Sequence, residues 1–144
     1  MNAHASDTQM RKLLIIDDNE EITDILEEVA RVAGYEVTCI HEFEDIGGTF
    51  QEFDPDLIFL DLDLGVDSDM DMSEKGYDGL AALQLLSERG CTAKIVLVSG
   101  MGQDKRQQTR DIGREMKLDV IGSIPKPFSI DSIDKLLLQL RGDT

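Results

Sequence analysis

Five polar residues stand at the carboxyl ends of apolar runs, and their types suit one chemistry. Asp17-Asp18 follows Leu13-Leu14-Ile15-Ile16, and Asp61 follows Leu57-Ile58-Phe59-Leu60. Ser99 follows Ile95-Val96-Leu97-Val98, and Lys126 follows the run from Val120 to Ile124, inside Ile124-Pro125-Lys126-Pro127-Phe128. If these ends meet, Asp17, Asp18 and Asp61 crowd together. Carboxylates at such range repel unless one is protonated or a cation sits among them. A carboxylate-rich, oxygen-only site suits a hard cation, and Mg²⁺ keeps waters while also binding a substrate phosphate. The Ser99 hydroxyl and the Lys126 ammonium are groups that hold a phosphoryl oxygen. A metal, a carboxylate nucleophile and two oxygen-holding groups together describe phosphoryl transfer. Any one of these residues alone could be a polar strand end turned to solvent. Five of them at the ends of four runs point to a common site.

Whether they meet depends on the elements that carry them. The four runs, with Val37-Thr38-Cys39-Ile40, make five apolar segments, each followed by a more polar one. Several are continuous rather than alternating, as strands buried on both faces of a parallel sheet are. Asn19 to Ala33 places Ile22, Ile25, Leu26, Val29 and Val32 on one helical face, and Gly34 stops it. Glu42 to Phe53 is a weaker helix, interrupted by Gly47-Gly48. Tyr77 to Arg89 carries Leu80, Leu83, Leu85 and Leu86 and ends at Gly90. Gln103 to Leu118 is very polar, with Ile112, Met116 and Leu118 as its anchors. Ser129 to Leu140 opens on a capping serine and packs through Ile133, Leu136, Leu137 and Leu140. Strand alternating with helix five times predicts an α/β fold in three layers, α/β/α. Its core is a doubly wound five-stranded parallel sheet of flavodoxin-like order 2-1-3-4-5. In that order the first and third strands are neighbours, so Asp17-Asp18 and Asp61 converge where such sheets bind ligands.

Composition narrows the partners. The net charge of −16 argues against a nucleic-acid surface and against an anionic membrane surface, both of which demand clustered Lys and Arg. It fits a cation or a partner with a basic patch, although most of these charges serve solubility. Cys39 and Cys91 have no metal-ligand spacing and make no disulfide framework. Reduced, idle thiols suit a cytoplasmic protein. No apolar run reaches the length of a membrane span. Residues 1–10 are small and polar without a signal-peptide core, and are read as a flexible tail ahead of one domain over residues 11–144. Thr144 follows closely on the last helix, so no output domain is expected.

The motifs Leu14-Ile15-Ile16-Asp17-Asp18-Asn19-Glu20, Asp54-Pro55-Asp56-Leu57-Ile58-Phe59-Leu60-Asp61, Val98-Ser99-Gly100 and Lys126-Pro127-Phe128 together resemble the receiver domain of bacterial response regulators. The resemblance runs from about Lys12 to Leu140. It implies that Asp61 is the phosphoacceptor, charged by the phosphohistidine of a histidine kinase or phosphotransfer protein. It implies that Asp18 binds Mg²⁺ directly and Asp17 directly or through water, with Asp61 and the backbone carbonyl of Asp63 also in the metal site. Ser99 would hydrogen-bond a phosphoryl oxygen and Lys126 would pair with it. The Lys126–Pro127 bond would be cis. Signalling would repack the face formed by the fourth helix, fifth strand and fifth helix, through which a homodimer could also form, toward a downstream protein not named by the sequence.

Departures from that pattern carry their own expectations. Ser123 stands three residues before Lys126, where the family usually has an aromatic, so the usual coupling of Ser99 to an aromatic rotamer is lost. The segment from Leu64 to Tyr77 is enlarged and acidic, with Asp67, Asp69, Asp71 and Glu74. With Asp78 it faintly resembles a calcium loop, but Met72 stands where that loop needs Gly. A solvated loop that shields the site or meets a partner is the favoured reading. Asp63 and Met101 flank the attacking-water path in the family and would tune dephosphorylation. Lys105, Arg106, Arg110 and Arg114 give the fourth helix a basic side, read as solvated rather than as a partner face. His41 is read as a surface residue. Two alternatives remain beside the switch. Asp61-Leu62-Asp63 resembles the nucleophile motif of haloacid-dehalogenase-like phosphatases, although there it lies on the first strand. An interaction domain that needs no phosphate is the other.

Overall fold

The computed structural model describes residues 11–62, 77–100 and 102–141. The tail 1–10, Asp63, the acidic stretch 64–76 and Met101 lie outside them. The elements alternate throughout: β1 (Arg11–Ile16), α1 (Glu20–Val32), β2 (Tyr35–Ile40), a 3₁₀ turn (Phe43–Asp45), α2 (Ile46–Phe53), β3 (Leu57–Asp61), α3 (Tyr77–Glu88), β4 (Lys94–Ser99), α4 (Gln103–Glu115), β5 (Asp119–Pro125) and α5 (Ile130–Arg141). The five strands form one parallel sheet in the order β2-β1-β3-β4-β5, as the alternation predicts.

The continuous apolar runs are explained by two cores, one on each face. Leu14, Ile16, Ile58, Leu60, Ile95 and Leu97 point to the side covered by α2 and α3, where Leu83 and Leu86 are buried. Leu13, Ile15, Phe59, Val96 and Val98 point to the other, covered by Leu26 and Ala30 of α1 and by Ile133 and Leu137 of α5. A strand with helices on both faces has no solvent side for polar residues to occupy. The helix signals are placed as expected. Asn19 accepts from the backbone N–H groups of Glu21 and Ile22 at 3.0 and 3.3 Å, and the Ser129 hydroxyl accepts from Ser132 N at 3.1 Å. Gly34 and Gly90 close α1 and α3 at positive φ, 97° and 72°.

Two expectations are corrected. Gly47-Gly48 does not interrupt the second helix; the break falls earlier, at the 3₁₀ turn, and α2 runs through both glycines. The Arg89 guanidinium crosses α2 to Gln51 and lies against Gly47, 2.9 Å from where a Cβ would stand. The fourth helix ends at Glu115; Met116 and Leu118 do pack on the core, but from beyond that end, and Ile112 is 36% exposed rather than an anchor. Between α1 and α5, Ile25, Val29, Val32 and Ile130 line an apolar groove rimmed by Glu28, Asp131 and Asp134. Among the described residues, no helix is long and apolar enough to cross a membrane.

Candidate functional site

The site forms at the carboxyl edge of the sheet. Because β1 pairs with β3, with Ile16 opposite Leu60, the residues that follow them share one location. Carboxylate oxygens of Asp17, Asp18 and Asp61 lie within 4.8 Å of one another. Asp17 and Asp61 are each 2% exposed, whereas Asp18 is open to solvent. Lys126 reaches in from the end of β5, its Nζ 3.0 Å from Asp61 Oδ1 and 3.8 Å from Asp17 Oδ2. The Lys126–Pro127 bond is cis, as the resemblance implied. Ser99, fully buried, ends β4 beside Asp61; its carbonyl accepts from Lys126 N at 2.9 Å, which ties the ends of β4 and β5 together.

Local backbone geometry fixes the acids. Asp17 N donates to Ile40 O at 3.0 Å, which seats the β1 end on β2. Asp17 Oδ1 accepts from Asn19 N at 2.9 Å, a turn closed by its own side chain. Asn19 then caps α1, so one residue both holds Asp17 and starts the helix. Burial pushes the Asp17 carboxyl above its ordinary range. The Asn19 N–H, the Lys126 ammonium and a side-chain hydrogen bond with Asp61 oppose that rise, and Asp18 adds to it.

Among the described residues, three carboxylates meet one ammonium here. Even at 4.8 Å, the widest separation within the cluster, like charges on Asp17 and Asp61 would repel by about 3.5 kcal/mol at an effective dielectric near 20. One ammonium serves both. A divalent cation held by Asp17, Asp18 and Asp61 fits this donor set, which is all oxygen and short of positive charge. Asp63, expected to add its backbone carbonyl, lies outside the described residues.

A family model described as the response regulator receiver domain matches residues 13–138. The chain belongs to the response regulator receiver family. This receiver domain is 25% identical over 129 residues to the transcriptional regulatory protein TctD of Salmonella typhimurium, over 90% of this chain and 51% of that protein. It thus spans about half the length of the curated relatives it matches. A response regulator from Colwellia psychrerythraea superposes with a TM-score of 0.74 at 19% identity, covering 94% of this chain and 100% of that one. The chemotaxis response regulator CheY4 of Vibrio cholerae gives 0.69 at 21% identity, over 91% and 98% of the two chains. The receiver domain of NtrX from Brucella abortus gives 0.67 at 23% identity, over 92% and 98%. At these identities the solved structures show the shared fold. Receiver domains are signalling domains of two-component systems rather than enzymes in the ordinary sense.

One contact at the rim of the receiver site was not legible in the sequence. His41 is half-buried, not simply a surface residue, and its Nε2 lies 2.9 Å from the Thr23 hydroxyl. That hydroxyl also donates to Glu20 O at 3.1 Å, so His41 pins the first turn of α1 to the end of β2. Only the cap signal of Asn19 hinted that this turn is held so firmly.

Proposed function

We propose that Asp61 is the phosphoacceptor of this receiver and that Mg²⁺ held by Asp17, Asp18 and Asp61 is required for the transfer. The observation that carries the reading is the buried Asp61 carboxylate, 3.0 Å from one ammonium and crowded by two further carboxylates. An Asp61 oxygen attacks the phosphorus of a phosphohistidine, the P–N bond breaks, the imidazole keeps the electron pair and takes a proton, and an acyl phosphate forms. Bound Mg²⁺ supplies charge stabilisation of the phosphoryl oxygens and relieves repulsion among the acids. Lys126 pairs with a phosphoryl oxygen once its contact with the unphosphorylated Asp61 carboxylate is given up. Ser99 donates its hydroxyl to another.

Incubation with acetyl phosphate and Mg²⁺, read by intact mass, is expected to show one phosphoryl group. A chain that stays unmodified, or an adduct indifferent to Mg²⁺, overturns the assignment. The phosphatase alternative is set aside because the acid pair follows β1 and precedes Asp61 in the chain; multiple turnover of a phosphomonoester would restore it. The phosphodonor is read as a histidine kinase or phosphotransfer protein. The groove between α1 and α5 suits it, since both helices spring from loops that carry site residues and the acidic rim fits a helix with apolar and basic residues. Ile25→Asp is expected to slow transfer from a histidine-phosphorylated donor and to leave phosphorylation by acetyl phosphate intact. Equal slowing of both removes that role for the groove.

A further inference from the structure

Asp18 differs from the two acids it stands with. Asp17 and Asp61 are enclosed by the fold, whereas Asp18 is open to solvent. Its backbone, however, is pinned on both sides. One residue before it, Asp17 N donates to Ile40 O at 3.0 Å. One residue after it, Asn19 N closes the turn onto Asp17 Oδ1 at 2.9 Å, and the Asn19 side chain caps α1. The first turn of α1 is held in its turn by His41, whose Nε2 lies 2.9 Å from the Thr23 hydroxyl. Ile40 ends β2 and His41 follows it, so two consecutive residues secure the chain on either side of Asp18.

The Thr23 hydroxyl decides which way the histidine bond runs. Thr23 is fully buried, and its hydroxyl has one proton, which goes to Glu20 O at 3.1 Å. Toward His41 that oxygen can only accept, so the imidazole carries its proton on Nε2 and donates it. Thr23 N meanwhile donates to Asn19 O at 3.1 Å. One buried threonine thus ties Glu20 and the capping Asn19 to the histidine, and the chain of contacts stops one residue from Asp18.

We propose that His41 is a positioning residue for the cation site: by donating from Nε2 to Thr23 it holds the Asp17–Asn19 turn, and with it the backbone of Asp18, where the exposed carboxylate meets the ion. Its Nε2 is turned to Thr23, so it acts through α1 rather than by ligation. The brace stands on the geometry alone; its bearing on Mg²⁺ rests on the phosphoacceptor reading above.

Two measurements on the whole chain test it. The first is amide hydrogen exchange without metal. His41→Ala is expected to speed exchange at Asn19 and Thr23 about tenfold while the amides of β3 and β4 keep their protection. No change at Asn19 and Thr23, or a loss spread over the sheet, overturns the brace. The second is Mg²⁺ titration by calorimetry. His41→Ala and Thr23→Val are each expected to weaken Mg²⁺ binding about five- to tenfold. His41→Gln places an amide nitrogen where Nε2 stood and is expected to return within about twofold of the parent. Variants that melt lower without metal yet bind Mg²⁺ as the parent does show a purely structural histidine and overturn the positioning role. A glutamine no better than alanine overturns donation from Nε2. If the parent itself binds no Mg²⁺, the metal in the phosphoacceptor reading fails and the positioning role falls with it, while exchange at Asn19 and Thr23 still decides the brace.

Discussion

β3 is bracketed by two aspartates that do opposite things. At its amino end Asp56 is exposed, and all its hydrogen bonds are with backbone. Its Oδ2 accepts from Lys12 N at 2.9 Å, its N–H donates to Lys12 O at 2.9 Å, and its carbonyl accepts from Lys94 N at 3.0 Å. At the carboxyl end Asp61 is 2% exposed and shares one ammonium with other carboxylates. Asp56 stitches three strands together and is satisfied by doing so. Asp61 is held in a cluster of three carboxylates gathered around the Lys126 ammonium. A carboxylate answered by backbone donors is part of the fold; one crowded by like charge is kept for a ligand.

The sharpest way to break this comparison is to exchange the roles by mutation. Asp61→Asn is expected to abolish the phosphoryl adduct from acetyl phosphate, since an amide is not the nucleophile that the transfer needs. Asp56→Ala is expected to leave the adduct unchanged. An adduct that persists in Asp61→Asn, or vanishes in a folded Asp56→Ala, would end the division of labour.

Asp17 offers a subtler test, because burial raises its carboxyl above the ordinary value of 3.8. The folded chain then holds this proton more tightly than the unfolded chain. Its contribution to metal-free stability is therefore fully present below about 3.8, falls as pH climbs from there to the raised folded value, and is flat above it. Asp17→Asn removes that limb while keeping an oxygen for Asn19 N. At neutral pH without Mg²⁺ the variant is expected to melt a few degrees higher than the parent. Mg²⁺ is expected to raise the parent's melting temperature more than the variant's. Thermal melts of both chains from pH 3 to 8 decide it, and equal profiles would mean that burial of Asp17 costs nothing.

Much of this was legible in the sequence because the signals are local. Continuous apolar runs fix the strands, Gly34 and Gly90 fix two helix ends, and alternation fixes the sheet order. The order then delivers Asp17, Asp18, Asp61 and Lys126 to one edge. The misreadings share a cause in contacts that only the folded chain brings about. Gly47-Gly48 looks like a break until Arg89 is seen lying over it. The anchoring of α4 looks apolar until the bulge beside Val120 O is seen to meet Arg114. His41 looks idle until β2 brings it to Thr23. None of these has a periodicity or a turn signal to announce it.

The smallest expected effect is the one that sharpens the comparison from its quiet end. Asp56→Ala deletes the acceptor for Lys12 N and leaves both backbone bonds to Lys12 and Lys94 in place. The site is exposed, so water can take over the lost donor, and the cost is expected to be about 0.5–1 kcal/mol in urea unfolding. The loss should not depend on Mg²⁺, since the residue lies at the other end of the strand from the acid cluster. Additivity follows from the same separation: Asp61→Asn with Asp56→Ala should shift stability by the sum of the two single changes. A coupling beyond measurement error would show that the two ends of β3 are not independent, and that the strand transmits strain between its exposed aspartate and its buried one.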